Sequence, residues 1–125
     1  MTPTDDAVIQ IADRRVMVFA ADGPPVSAEA EALDLIGATW GQEVDWLVLP
    51  AERLSPAFLD LKTGLAGAVL QKIVTYGQRL AIVGDITAAE AASGALRDLV
   101  RESNRGDRIW FVPDMATLET RLRTR

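Results

Sequence analysis

Three short apolar runs constrain this chain more than any other feature: Val44 to Leu49 (VDWLVL), Leu80 to Val83 (LAIV) and Ile109 to Val112 (IWFV). Each is too short for a core helix, and too nearly continuous for a strand with one face in water. Such runs are strands buried on both faces. The intervals between them hold segments of helix length with apolar residues at helical spacing. Strands that alternate with helices pair in parallel through right-handed crossovers. The pattern therefore predicts an α/β domain built on a mostly parallel sheet flanked by helices.

The N-terminal part breaks that rhythm. Ala7 to Ile11 and Val16 to Phe19 are apolar runs around the polar Asp13-Arg14-Arg15, the pattern of a β-hairpin. Asp22-Gly23-Pro24-Pro25 closes it. An N-terminal hairpin adds an antiparallel pair, giving a mixed sheet of about five strands. Residues 1–6 read as a flexible tail.

Local signals place the helices. Ser27 is the expected N-cap of the first, with Glu29 and Glu31 in its first turn. Ala32, Leu33, Ile36 and Trp40 fall at helical spacing, and Gly41 is the stop. Ser55 and Pro56 open a short helix that Gly64 ends or bends. Leu65 to Tyr76 is a second helix stopped by Gly77. Thr87-Ala88-Ala89-Glu90 matches a capping box, with Ser93-Gly94 as a competing start. One helix, continuous or broken at Gly94, should end near Arg105 with Leu96, Leu99 and Val100 inside and Gly106 as its cap. Pro113 breaks the last strand, and Asp114 caps a final helix carrying Met115, Leu118 and Leu122. The 125 residues so divided make one domain.

Composition narrows the function. The chain has no cysteine, so no disulfide, thiolate nucleophile or zinc-thiolate site is expected. It has no histidine, the commonest general base and metal ligand. No cofactor and no metal are implied. The net charge of −5 argues against nucleic acid as a partner. Arg97, Arg101, Arg105, Arg108, Arg121, Arg123 and Arg125 collect near the C-terminus, but Asp98, Glu102, Asp107 and Glu119 interleave with them. That reads as a mixed solvated surface. No basic and apolar leader opens the chain, and no apolar run reaches membrane-spanning length. The expectation is a cytoplasmic protein with no membrane partner.

The order of elements resembles the STAS domain, found in sulfate transporters and anti-sigma factor antagonists. In that family a loop reading roughly Phe-Ile-Asp-Ser-Ser-Gly-Leu precedes a helix, and the serine before the glycine is phosphorylated in the antagonists. Phe58-Leu59-Asp60-Leu61-Lys62-Thr63-Gly64-Leu65 is similar, one residue longer, and the resemblance implies a phosphoacceptor at Thr63. The stretches DGPP, ALDLIG, LKTGLAGAVLQK, VGDI, ALRDLVRESNRG and WFVPD resemble a bacterial family known as domain of unknown function 4180 over residues 16 to 122. That resemblance brings no assigned activity.

Four features are candidate sites. Lys62, Thr63 and Gly64 form a candidate switch or anion site at a helix start, with capping and close packing as the structural alternative. A P-loop is excluded, because Lys62 precedes the glycine instead of following it. Glu52, Asp60, Asp85 and Asp114 lie near the carboxyl ends of strands, where α/β sheets bind ligands; their alternative is turn and cap duty. Arg101-Glu102-Ser103-Asn104-Arg105-Gly106 is either an anion clamp or a solvated helix end. The Leu65–Tyr76 helix leaves only Gln71, Lys72 and Thr75 polar, which implies burial on both sides or an oligomer or partner contact.

The leading expectation is a non-enzymatic regulatory or protein-binding module with Thr63 and its helix as contact surface. The rival is a small-ligand-binding or metal-dependent enzyme using the strand-end carboxylates. A structural subunit of a larger complex is a third reading.

Overall fold

The uninterrupted apolar runs become strands because each residue in them finds a hydrophobic layer on its own side of the sheet. In the computed structural model, which describes residues 6–124, β1 (Ala7–Ile11) and β2 (Arg14–Val18) form the antiparallel hairpin. β3 (Trp46–Pro50), β4 (Leu80–Val83) and β5 (Ile109–Val112) follow in parallel. The sheet order is β1-β2-β3-β4-β5, so every crossover joins neighbours. The helices are α1 (Ala30–Gly37), α2 (Pro56–Leu59), α3 (Leu65–Thr75), α4 (Thr87–Ala92), α5 (Gly94–Arg105) and α6 (Met115–Arg123). Residues 1–5 of the expected tail lie outside the described residues. Asp6 is held, its Oδ1 accepting the Ala20 N–H at 2.7 Å.

Strand side chains alternate between two cores. Met17, Leu47, Leu49, Leu80, Ile82 and Phe111 meet α1, α3 and α5 through residues such as Leu35, Val69, Ile73 and Leu96. On the other face Val16, Val18, Trp46, Val48, Ala81 and Trp110 meet Leu118 and Leu122 of α6. The Trp46 and Trp110 rings lie 4.2 Å apart between centroids. They stand on β3 and β5; β4 between them places the small methyl group of Ala81 beside Trp110, with Val83 farther along the same face. The Arg121 guanidinium sits 3.9 Å above the Trp110 ring, a cation–π contact from α6.

Several elements differ from the sequence expectation. β3 starts at Trp46, with Asp45 exposed and its Oδ2 accepting the Arg15 N–H at 2.8 Å. β5 is the sheet's edge, although Trp110 and its neighbours are buried. Ser27 does not cap α1, which begins three residues later; its N–H and hydroxyl both donate to Glu31 Oε1 at 3.0 Å. The inner face of α1 is Ala32, Leu35 and Ile36, with Thr39 buried in the turn that follows, so Leu33 and Trp40 point outward. Of the two forms expected for the segment up to Arg105, the broken one is found, as α4 and α5. Ser93 separates them and caps α5 by accepting the Leu96 N–H at 3.1 Å. Thr87 makes no capping box, because the Asp85 carboxylate takes its N–H and its hydroxyl.

Candidate functional site

The loop before α3 folds from its own polar groups. Ser55 caps α2 by accepting the Phe58 N–H at 3.1 Å, and Pro56 takes the first helical position. Asp60 Oδ1 then accepts the Lys62 N–H and supports a 3-10 turn, Leu61–Thr63. Gly64 follows in the left-handed region at φ 76°, where a side chain is strained. Thr63 is exposed. Its hydroxyl lies 2.6 Å from the Ala57 carbonyl and 2.9 Å from the Asp60 carbonyl, and it accepts the Leu65 N–H at 3.2 Å. The hydroxyl thus latches the loop to the start of α3. Lys62 is exposed beside it.

The strand-end carboxylates are occupied separately. Asp114 Oδ1 caps α6, accepting the Thr117 N–H and hydroxyl at 2.7 Å each. Asp85 does the same for Thr87 at 2.9 and 2.7 Å. Those donors, the hydroxyl foremost in each case, hold both carboxyls below the usual aspartate pKa. Asp85 lines a small cleft with Phe111 and Val100, whereas Asp114 borders a shallow one with Thr120 and Arg121. Glu52 is exposed on the 3-10 turn Ala51–Arg53. Asp60 is exposed in the Thr63 loop. Among the described residues no group of three or more acidic side chains stands close enough to hold a metal ion.

The segment Arg101 to Gly106 closes the sheet. Asn104 Oδ1 accepts the Phe111 N–H at 2.7 Å and its Nδ2 donates to the Phe111 carbonyl at 3.1 Å. One amide side chain therefore stands in for a neighbouring strand on the open edge of β5. Arg105 pairs with Glu102 at 3.4 Å, and Arg121 donates to the Asn104 carbonyl. Arg125 lies outside the described residues. On α3, Ala66, Val69, Leu70 and Ile73 are buried, and the outward positions are Gly67, Gln71 and Thr75. Its apolar content is absorbed by the sheet and by α1, leaving Tyr76 exposed at its end.

Arg53 has no counterpart in the sequence reading. It is 8 % exposed, at the carboxyl end of β3, with Nε donating to the Pro24 carbonyl at 2.7 Å and Nη1 to the Ala20 carbonyl at 2.9 Å. A Cβ on Gly23 would lie 2.6 Å from its Cζ, so any larger residue there would push the guanidinium from its place. The cleft over Arg53 measures about 210 Å³ and is lined by Phe19, Val26, Leu35 and Ala38, with Asp6, Glu31 and Asp34 around it. The one signal available was the DGPP stretch, which reads locally as a turn. Nothing in its spacing points to an arginine some thirty residues later.

No helix among the described residues is long and apolar enough to cross a membrane. No curated protein and no solved structure matches the chain. The family model described as Domain of unknown function (DUF4180) matches residues 11–122. The match runs from the end of β1 into the last turns of α6, and by it the chain belongs to the DUF4180 family.

Proposed function

We propose that the protein is a non-enzymatic regulatory module of STAS-like type that works by protein contact. The observation that carries this reading is Trp40, whose side chain follows α1 and is 79 % exposed. An indole left in water forgoes the largest apolar burial that any side chain offers, and tryptophan is enriched where proteins meet. Leu33 and Tyr76 are exposed too. α1 and α3 both lead into the amino ends of the adjacent strands β3 and β4, so Trp40 and Tyr76 belong to the same end of the sheet. The hairpin-first order, followed by three parallel strands, supports the STAS-like assignment. The carboxylates of Asp85 and Asp114 are engaged separately by Thr87 and Thr117 and do not converge on one site, which favours a binding module over the carboxylate enzyme.

Thr63 supplies the regulatory half. It is exposed, and its hydroxyl donates toward two carbonyls. A phosphoryl group would remove that donor and place about −1.5 to −2 charge beside those oxygens. The loop before α3 would then open.

The test is a photo-crosslinking residue at position 40 or 33, compared with one at Arg101 on the charged face of α5. A discrete adduct with one polypeptide from positions 40 and 33, and not from 101, is the expected result. No discrete adduct, or the same adducts from all three, rejects the contact surface.

A further inference from the structure

We propose that the cleft over Arg53 binds a small zwitterion, a molecule of the α-amino acid class with an ammonium and a carboxylate on a short apolar body. Arginine stays protonated in proteins, so the Arg53 side chain is a permanent cation. A buried ion needs a counter-charge or a full set of hydrogen bonds. Arg53 has the two carbonyl acceptors of Pro24 and Ala20, and no carboxylate pairs with it among the described residues. Its Nη2 makes no hydrogen bond among them either. A ligand carboxylate in the cleft that Arg53 lines would supply both the charge and the acceptor.

The guanidinium is held for that purpose before any ligand arrives. Gly23 lies against it, and the Val26 N–H donates to the Arg53 carbonyl at 2.6 Å. An isolated parallel bridge between Val26 and Leu54 ties the same two loops. These loops follow β2 and β3, so the cleft sits outside the carboxyl ends of parallel strands, where α/β sheets bind ligands.

The surroundings select the rest of the molecule. Asp6 and Glu31 each spend one oxygen internally, on the Ala20 N–H and on Ser27. Asp34 is exposed, with no side-chain partner among the described residues. Three carboxylates beside one guanidinium disfavour a plain anion, and a plain cation would leave Arg53 Nη2 without an acceptor. A molecule with both charges satisfies both. Phe19, Val26, Leu35 and Ala38 suit a short aliphatic body, and about 210 Å³ admits a small one.

Three probes of matched shape test this in the full chain: L-valine, isovalerate without the amine, and isobutylamine without the carboxylate. Amide resonances of Gly23, Leu35 and Ala38 report binding. L-valine should give saturable shifts at millimolar concentration, with each single-charge probe weaker by about tenfold or more. Asp34→Asn, at an exposed position, should stay folded and weaken L-valine by about tenfold. Arg53→Met should abolish binding; where that variant does not fold, Asp34→Asn carries the test. The proposal is overturned by unshifted resonances with L-valine, by equal binding of either single-charge probe, by unchanged affinity in Asp34→Asn, or by binding that survives in a folded Arg53→Met.

Discussion

Replacing Asn104 by alanine should uncouple the edge of the sheet from α5. The wild-type side chain makes two hydrogen bonds to one residue, at 2.7 Å from the Phe111 N–H and 3.1 Å to its carbonyl. Phe111 is 6 % exposed and belongs to the larger core, so its backbone is not freely rehydrated. At about 1 kcal/mol per intramolecular hydrogen bond, the pair contributes about 2 kcal/mol. For a domain of this size that is a fall in Tm of roughly 6–12 °C. Hydrogen exchange of the Phe111 amide gives the local readout, and it should accelerate more than amides in β3. The Asn104→Ser variant keeps a polar group that is too short to bridge both atoms, and it should behave like alanine. A Tm within about 1 °C of wild type, with Phe111 protection intact, would show that the amide is incidental and that α5 packing alone guards the edge.

Other substitutions probe the remaining inferences. Gly84→Ala should destabilise by about 2 kcal/mol or more, because φ is 149° and the new Cβ would lie 2.6 Å from Ala51 Cβ; a wild-type chemical denaturation midpoint would refute the clash. Asp114→Ala should lower stability at neutral pH. Its folded pKa is depressed, so the cap's contribution is present above the unfolded value of about 3.9 and lost as pH falls through the lower folded value. Wild type and variant should therefore converge in acid, and a gap that persists there would contradict the cap. Trp40→Ser should leave thermal stability within about 0.5 kcal/mol, since the indole is exposed; a larger loss would mean that Trp40 packs against its own chain. Leu47→Asp puts a charge at a position with 0 % exposure and should abolish cooperative unfolding.

Much of this fold was legible because its signals are local. A strand covered on both faces must be apolar along its length, so LAIV and IWFV appear as such in the sequence. Caps act within three residues of themselves, which is why Ser55 and Asp114 could be assigned their helices and Ser93 stood as a competing start. Errors arose where two local options were equivalent. Ser27 and Glu31 reach each other as readily as a serine reaches the helix N–H groups. Apolar spacing in α1 fits Leu33 and Trp40 as well as Leu35 and Ile36; the direction from which the sheet approaches chose between them.

The polar interior was beyond such reading. Arg53 is buried because the loop after β2 places the Ala20 and Pro24 carbonyls around it, thirty-three and twenty-nine residues away in sequence. Asn104 serves Phe111 because α5 happens to end beside the exposed edge of β5. The alternation of strands and helices, the hairpin and the two-sided burial can be read without coordinates, since each follows from hydrophobic period over a few residues. Which polar groups turn inward depends on the folded arrangement of distant segments. A buried charge or amide is tolerated only where distant backbone supplies its partners, and that supply is set by the packing of the whole chain.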